Sequence, residues 1–585
     1  MLNLRIYRAA FLPVIVAVFV LAFSFRNEPG ALGTTLAPAA FNGQSADALL
    51  TQLARNHPDR RPGSPGDDAV AARVASSLRG YGFSVRESAF EGHTVDGTRR
   101  LETVIGEQPG ASSGAIVVVA HRDALGSTAT ADLSGTATLI ELARVLAGRT
   151  LNRTVELVSI SGSNGLAGAT HLASALGGPI DAVVVLGDVA GKRVTEPVVV
   201  AWSGGENIAP LLLRNTAAAA VRAETGIAPG GADLAAQFAR LALPLTLSEQ
   251  GPFDARGIPA VLLSTAGERG PGVSAPVSAG QLTNFGRAAL QTISALDTGP
   301  SIPPPTAYLT YKQMTVPLWP IRLLVLTLIL PVLAAAIDGF ARARRRGHAV
   351  GRWAGWVLAT ALPFALALLF LFGLGAVGLI RVTAPGPVGA GAVPVHVRGA
   401  VEMAAALAVL VATMFPIRAF VVRRIGVQGS PAEAGGAAAV LLVMCAISLA
   451  IWITNPFAAA LIVPALHLWM WIVAPEVRLR VPLAVTLLLA GVAPIAMVIL
   501  YYASQFGLGP LGVIWTGVLL VAGGGLGIPA LLEWSIVGGC AVSVGLIATR
   551  ATRAEAPEIA PVTVRGPVTY AGPGSLGGTK SALRR

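Results

Sequence analysis

Residues 115–175 read AIVVVAHRDALGSTATADLSGTATLIELARVLAGRTLNRTVELVSISGSNGLAGATHLASA. Ile116 to Ala120 is a short continuous apolar run, the pattern of a strand buried on both faces. It runs into His121-Arg122-Asp123, so His121 and Asp123 fall just past the carboxyl end of that strand. Open α/β sheets bind ligands at that edge. Leu139, Leu142 and Leu146 recur at helical spacing, which predicts a helix starting near Ser134. Val155 to Ile160 is a second buried strand, leaving through Ser161-Gly162-Ser163-Asn164-Gly165, a second loop at the same edge. Strand, loop, helix, strand, loop, helix predicts an α/β domain.

Working outward, Ser45 to Arg55 reads as a helix capped by Ser45. Arg60-Arg61-Pro62-Gly63-Ser64-Pro65-Gly66 is turn-rich, and a helix over Asp68 to Leu78 and a strand over Phe83 to Arg86 follow it. Downstream, Ala182 to Leu186 is another buried strand, ending in Gly187-Asp188-Val189-Ala190-Gly191. Then come Leu247-Ser248-Glu249-Gln250-Gly251-Pro252-Phe253 and Gly257-Ile258-Pro259-Ala260-Val261. His57 and His93 lie in polar loop sequence and read as surface residues.

This order of pieces resembles the zinc aminopeptidase family that includes aminopeptidase Y and glutamate carboxypeptidase. The family has an Arg-x-Pro-Gly-Ser-x-Gly entry, a His-x-Asp on the first loop and a second Asp before Ser-Gly. A Glu-Glu pair follows on the second loop, then Asp-Met-x-Gly, and last Ser-Asp-His-x-Pro-Phe followed by Gly-Ile-Pro-Ala. For residues 43–305 the resemblance implies a mixed, mostly parallel sheet flanked by helices. It also implies two zinc ions, with metal-bound water attacking a peptide carbonyl and a Glu taking its proton. Position by position it implies His121 as a metal ligand, Asp123 as the residue that orients it, and Asp188 as a ligand of the same ion. Asp132 takes the bridging position, although it lies two residues before Ser134 where the family has three.

The Glu-Glu pair, which holds the general base and a ligand of the second metal, falls on Ser163-Asn164. The last metal His falls on Gln250. Neutral Ser, Asn and Gln are poor zinc ligands, and loss of a general base costs about 10²–10⁴ in rate. The resemblance therefore implies zero or one zinc, held by His121, Asp132 and Asp188, with Glu249 a further ligand only if it swings in. The same side chains also have a metal-free reading: His121 and Asp123 as a hydrogen-bonded pair holding the loop, and Asp188 as a capping or turn residue.

The chain of 585 residues is 53% hydrophobic and only 13% charged, too apolar for a fully soluble protein. Residues 1–26 carry Arg5, Arg8 and the run Ala9 to Phe25, with no small-x-small cleavage site close by, and read as an uncleaved signal anchor. Residues 27–42 read as a linker. Between 314 and 549 lie apolar segments near 317–340, 353–380, 400–422, 436–454, 456–474 and 481–504, each long enough to span. Segment 511–549, with Gly527-Ile528-Pro529 and Glu533 near its middle, reads as a hairpin of two short helices. That makes a membrane domain of seven to eight helices, followed by a Pro, Gly and Arg-rich tail, 550–585, read as disordered.

Much of the net charge of +12 lies in alternate loops of this half: Arg342 with Arg344 to Arg346, Arg418 with Arg423 and Arg424, and Arg478 with Arg480. By the positive-inside rule those loops are cytoplasmic. Loop 381–399 and the turns at Asn455 and Gln505 then face outside, with the α/β domain. No basic stripe with interleaved aromatics is present, which argues against nucleic acid as a partner. Cys445 and Cys540 both lie in apolar segments, so the α/β domain has neither a disulfide framework nor a cysteine metal site. Asp338 and Glu402 read as interfacial, His467 as hydrogen-bonded inside the bundle, and no ordered series of polar positions marks a transport path.

In architecture the chain also resembles the endoplasmic-reticulum metallopeptidase of animals and the GPI transamidase subunit, whose peptidase-like domain lacks the metal ligands. The resulting expectation is a multi-pass cell-membrane protein with an extracytoplasmic peptidase-like domain. That domain is catalytically degenerate, binds a peptide or a membrane-protein partner, and lies in contact with membrane lipid. The alternative is an active membrane zinc aminopeptidase with a single-metal or rearranged site.

Overall fold

The structure, a computed structural model, describes residues 3–34, 38–126, 129–380, 387–388, 397–426, 434–474, 476–477 and 479–553. Among the described residues ten strands form two sheets: β1 (Arg26–Asn27), β2 (Ser84–Thr94), β3 (Gly97–Gln108), β4 (Ala115–His121), β5 (Thr154–Ile160), β6 (Ile180–Leu186), β7 (Val199–Val200), β8 (Ala260–Leu263), β9 (Tyr308–Tyr311) and β10 (Met314–Pro317). The larger sheet runs β2-β3-β5-β4-β6-β8-β7. β4 pairs in parallel with β5 and β6, and β6 with β8, while β2, β3 and β7 are antiparallel. This is the mixed, mostly parallel sheet implied by the resemblance.

The central strands have no solvent-facing side. Val117 and Val119 of β4 pack with Leu172 and Phe253 on one face. Ile116 and Val118 pack with Leu139 and Leu142 of the Ser134–Leu146 helix and with Phe285 of the Ala279–Thr298 helix on the other. Alternation along a strand sends successive side chains to opposite faces, so a core strand needs apolar residues at every position. Gly135 lets its helix approach the end of β6, since a Cβ there would lie 2.4 Å from Leu186 O.

Two local expectations are corrected. The first helix is Gly43–Asn56 and its cap is Asn42, whose side chain accepts from the Gln44 and Ser45 amides, so Ser45 lies inside the helix. The strand expected over Phe83 to Arg86 runs on to Thr94, because it pairs with β3 along its whole length in an antiparallel hairpin.

The small sheet, β1-β10-β9, pairs Arg26 with Thr315 and so ties the chain leaving the first apolar helix to the chain entering the next. Among the described residues seven helices are long and apolar enough to cross a membrane: Arg5–Ala22, Leu318–Arg345, Val350–Ala376, Gly435–Thr454, Pro456–Val473, Val481–Phe506 and Ile528–Thr549. The 397–425 segment is a further helix, broken by a wide turn at Thr413–Ile417 that contains Pro416.

Leu318 follows β10 directly, so Arg345 lies about 40 Å away at 1.5 Å per residue. At the domain end, Asn455 Nδ2 donates to Leu241 O at 2.8 Å. At the other end, Arg352 Nη1 donates to Gly426 O at 3.3 Å. The arginines around 344–346 and 423–424 and Arg480 therefore gather at the end remote from the α/β domain.

The hairpin of two short helices is also corrected. Pro510–Ala522 has 13 residues, about 20 Å, short of a 30 Å core. Both of its ends lie on the domain side: Ala522 packs on Gly375, and Trp515 shares a cluster with Val95 of the β2–β3 turn. Ile528–Arg553 then runs the length of the bundle alone, with Glu533 in its second turn. The tail boundary moves accordingly to Arg553, and residues 554–585 lie outside the described residues, as does most of loop 381–399. Inside the bundle, His467 is hydrogen-bonded on both sides, by Tyr7 Oη at 2.8 Å and Leu328 O at 2.9 Å. Cys445 and Cys540 are buried and free.

Candidate functional site

Because β4, β5 and β6 are parallel, their exits open on one edge of the sheet. A cavity of about 330 Å³ lies there, lined by His121, Asp132, Ser163, Asn164, Asp188 and Glu249. Six of the residues singled out from the sequence thus meet at one place. Asp123 is fully buried beside it. Gln250 is not part of the lining.

His121 Nδ1 lies 3.1 Å from Glu249 Oε2. Burial works against the imidazolium, but the Glu249 carboxylate outweighs it and holds His121 up at about 10. The carboxylate facing its ring is Glu249, where the resemblance implied Asp123. Asp123 instead accepts from Ser163, at 3.1 Å from the backbone amide and 2.9 Å from Oγ. Burial pushes Asp123 up to about 6, with His121 pulling the other way.

Asp132 lines the cavity, and burial raises it to about 7 against the pull of His121. Asp188 Oδ1 accepts from the amides of Ala190 and Gly191, both at 2.9 Å, and from Ser134 Oγ at 3.2 Å. Burial raises its pKa as well, opposed by those donors. The turn role read for Asp188 is therefore real, since this carboxylate closes the Asp188–Gly191 turn onto the start of the Ser134–Leu146 helix.

Gln250 is fully buried and its amide turns away, with Nε2 donating to Trp202 O at 2.7 Å. Glu249, one residue earlier, takes the place at the cavity. Counting positions along the motif pointed to Gln250 and gave Glu249 a place only if it swings in; the neighbouring residue is the one that reaches the cavity.

The loop bearing His121 and Asp123 is anchored from behind by Arg122. Its guanidinium meets Asp67 at 2.9 Å and donates to Ser159 O and Glu102 O. Asp67 in turn accepts from Gly63 N and Ser161 Oγ. Arg60 donates to Ala129 O and His57 O, holding the stretch before Asp132. Alternation is the sequence signal for Arg122, since a residue between two that face the site points the other way. Its partner 55 residues earlier has no such signal.

The donor set does not suit the paired zinc of the resemblance. Ser163 and Asn164 bring no carboxylate, Gln250 points elsewhere, and Nδ1 of His121 is taken by Glu249. Among the described residues no three His, Cys, Asp or Glu side chains converge to hold a metal ion.

Residues 103–271 match the model for Peptidase family M28. No curated protein matches the chain. Solved structures with a similar fold include a glutaminyl cyclase from an Acidobacteriales bacterium (20% identity, 46% of this chain and 99% of that one, TM-score 0.35). Others are the aminopeptidase from Aneurinibacillus sp. strain AM-1 (14%, 46% and 95%, 0.36) and BSAP, a zinc aminopeptidase from Bacillus subtilis (12%, 43% and 94%, 0.34). Over residues 103–271 this chain is thus similar to Peptidase family M28, and that segment is joined to helices long and apolar enough to cross a membrane.

Proposed function

We propose that this is a peptidase-fold binding domain without hydrolytic activity, holding a peptide or a membrane-protein partner in the edge cavity on the outer face of the membrane. The observation that carries this reading is the His121–Glu249 pair. The Glu249 carboxylate favours the protonated His121 ring, whereas a metal binds the neutral one, and no side chain at Ser163 or Asn164 can take a proton from water. The cavity is rich in acceptors. Asp132 lines it, and Glu249 Oε1 is buried without a hydrogen-bond partner. A buried acceptor left unpaired costs about 1–3 kcal/mol, which an amide or amino N–H of a bound peptide would recover. The basic ends of the bundle, which lie away from the domain, support the outer-face reading.

A labelled peptide library and the full-length protein in nanodiscs test this reading. Saturable binding, reduced at least tenfold by Asp132→Ala and without release of amino acids, is the expected result. A second reading, a zinc aminopeptidase with one metal, has its own observation: His121, Asp132, Asp188 and Glu249 line one cavity. Zinc-dependent release of amino acids abolished by His121→Ala would select it and overturn the first.

A further inference from the structure

Two segments wall the cavity opposite the β5 exit, 247–249 and 267–273. Both are tied to one buried cation. Arg240, on the Leu234–Ala242 helix, is 4% exposed. Its Nη1 donates to Glu268 Oε1 at 2.8 Å and to Leu245 O at 2.9 Å, and its Nη2 to Glu268 Oε2. Glu268 Oε1 also accepts from Leu247 N at 3.1 Å. One guanidinium thus sets the spacing of both walls, and Glu249 stands two residues past Leu247.

The α/β domain adds the Trp202 ring, 5.7 Å from the guanidinium, and the rest of the surroundings of Arg240 come from another element. Its Nε donates to Tyr501 Oη at 2.9 Å, and the guanidinium lies over the rings of Tyr501 and Tyr502 at 5.5 and 5.4 Å. Tyr502 Oη bridges Leu243 O and Leu245 N, and Arg269 donates to the carbonyls of Ser504 and Gln505. All four of these residues belong to the last turns of the Val481–Phe506 helix. Only 17% of that helix's apolar window is buried in the protein, against 72% for its neighbour Pro456–Val473. So little cover leaves most of its surface for lipid, and a spanning helix longer than the hydrocarbon core can meet a thinner bilayer by tilting.

We infer that Arg240 is a positioning residue for the cavity and that the Val481–Phe506 helix holds it there, so that the shape of the site is set from the membrane side. Removing the tyrosine hydroxyls takes one hydrogen bond from the cation and the bridge from the 243–245 backbone. The inference rests on reading this cavity as the functional site. Its test needs no ligand, so a failure of peptide binding leaves the result standing.

The experiment is hydrogen exchange of the full-length protein in nanodiscs, comparing wild type with Tyr501→Phe/Tyr502→Phe. Protection of 243–250 and 266–273 falls at least tenfold in the variant, while 116–120 and 183–186 in the central sheet keep theirs. Wild type moved from thick to thin bilayers shows a change of threefold or more in the same two segments, and the variant does not. Unchanged exchange in both wall segments, loosening spread evenly over the sheet, or identical wild-type exchange in the two bilayers overturns the inference.

Discussion

Arg122 and Asp67 meet at 2.9 Å with neither side chain reaching solvent. Each charge is hydrogen-bonded further, Arg122 to three backbone carbonyls and Asp67 to Gly63 N and Ser161 Oγ. The pair joins the chain entering the domain to the exits of β4 and β5, and so fixes the backbone on which His121 and Asp123 stand. Removing one partner leaves a buried charge uncompensated, at a cost of about 3–5 kcal/mol.

Asp67→Ala is therefore expected to lower the melting temperature of the solubilised full chain by on the order of 10 °C. Adding Arg122→Ala costs less than the sum of the two single changes, because the second removal no longer strands a charge. A shift within about 2 °C for Asp67→Ala would remove the anchoring role.

Asp254 gives a pH-dependent case away from the cavity. It is fully buried, Oδ1 accepts from Ala260 N at 3.0 Å, and Oδ2 has no partner. Burial pushes its carboxyl well above the usual range. The folded state binds this proton more tightly than the unfolded chain, so stability falls as pH rises from the unfolded value of about 3.9 toward the raised folded value. Asp254→Asn keeps the acceptor and removes the titration, so it raises the melting temperature more at pH 8 than at pH 4. Equal shifts at both pH values would contradict the assignment.

Metal content follows from the arrangement of donors. Purified full chain equilibrated with zinc is expected to hold less than one ion by elemental analysis. Gln250→His adds none, since that side chain points to Trp202 O, and it loses a hydrogen bond worth about 1 kcal/mol. Two tightly bound ions per chain would show that the cavity closes around metal in a way the His121–Glu249 contact does not suggest.

The charge pattern gives an expectation for sidedness. His93 is exposed on the β2–β3 hairpin, and Arg345 is exposed at the opposite end of the bundle. In whole cells, His93→Cys should react with an impermeant maleimide and Arg345→Cys should not. The reverse labelling pattern would place the domain in the cytoplasm.

Much of the domain was legible along the chain. The strands β4, β5 and β6 were readable because a doubly covered strand is apolar at every position, and the Ser134 helix because its leucines recur at helical spacing. The loops that carry His121, Ser163 and Asp188 follow from where those runs end. Boundaries governed by partners were not readable: β2 extends to Thr94 because β3 pairs with it, and Pro510–Ala522 stays at the domain end because Gly375 and Val95 receive it.

By itself the sequence determined the elements, their order and the edge at which the polar loops open, since these depend on local periodicity and turn chemistry. Only the tertiary structure decided which side chains meet there. Glu249 reaches His121 across 128 residues of chain, Gln250 turns to Trp202, and Arg240 is completed by tyrosines of a membrane helix. Such contacts depend on how distant backbones are rotated against one another. A one-residue difference in which side chain faces the cavity exchanges an amide for a carboxylate, and no spacing along the chain records it.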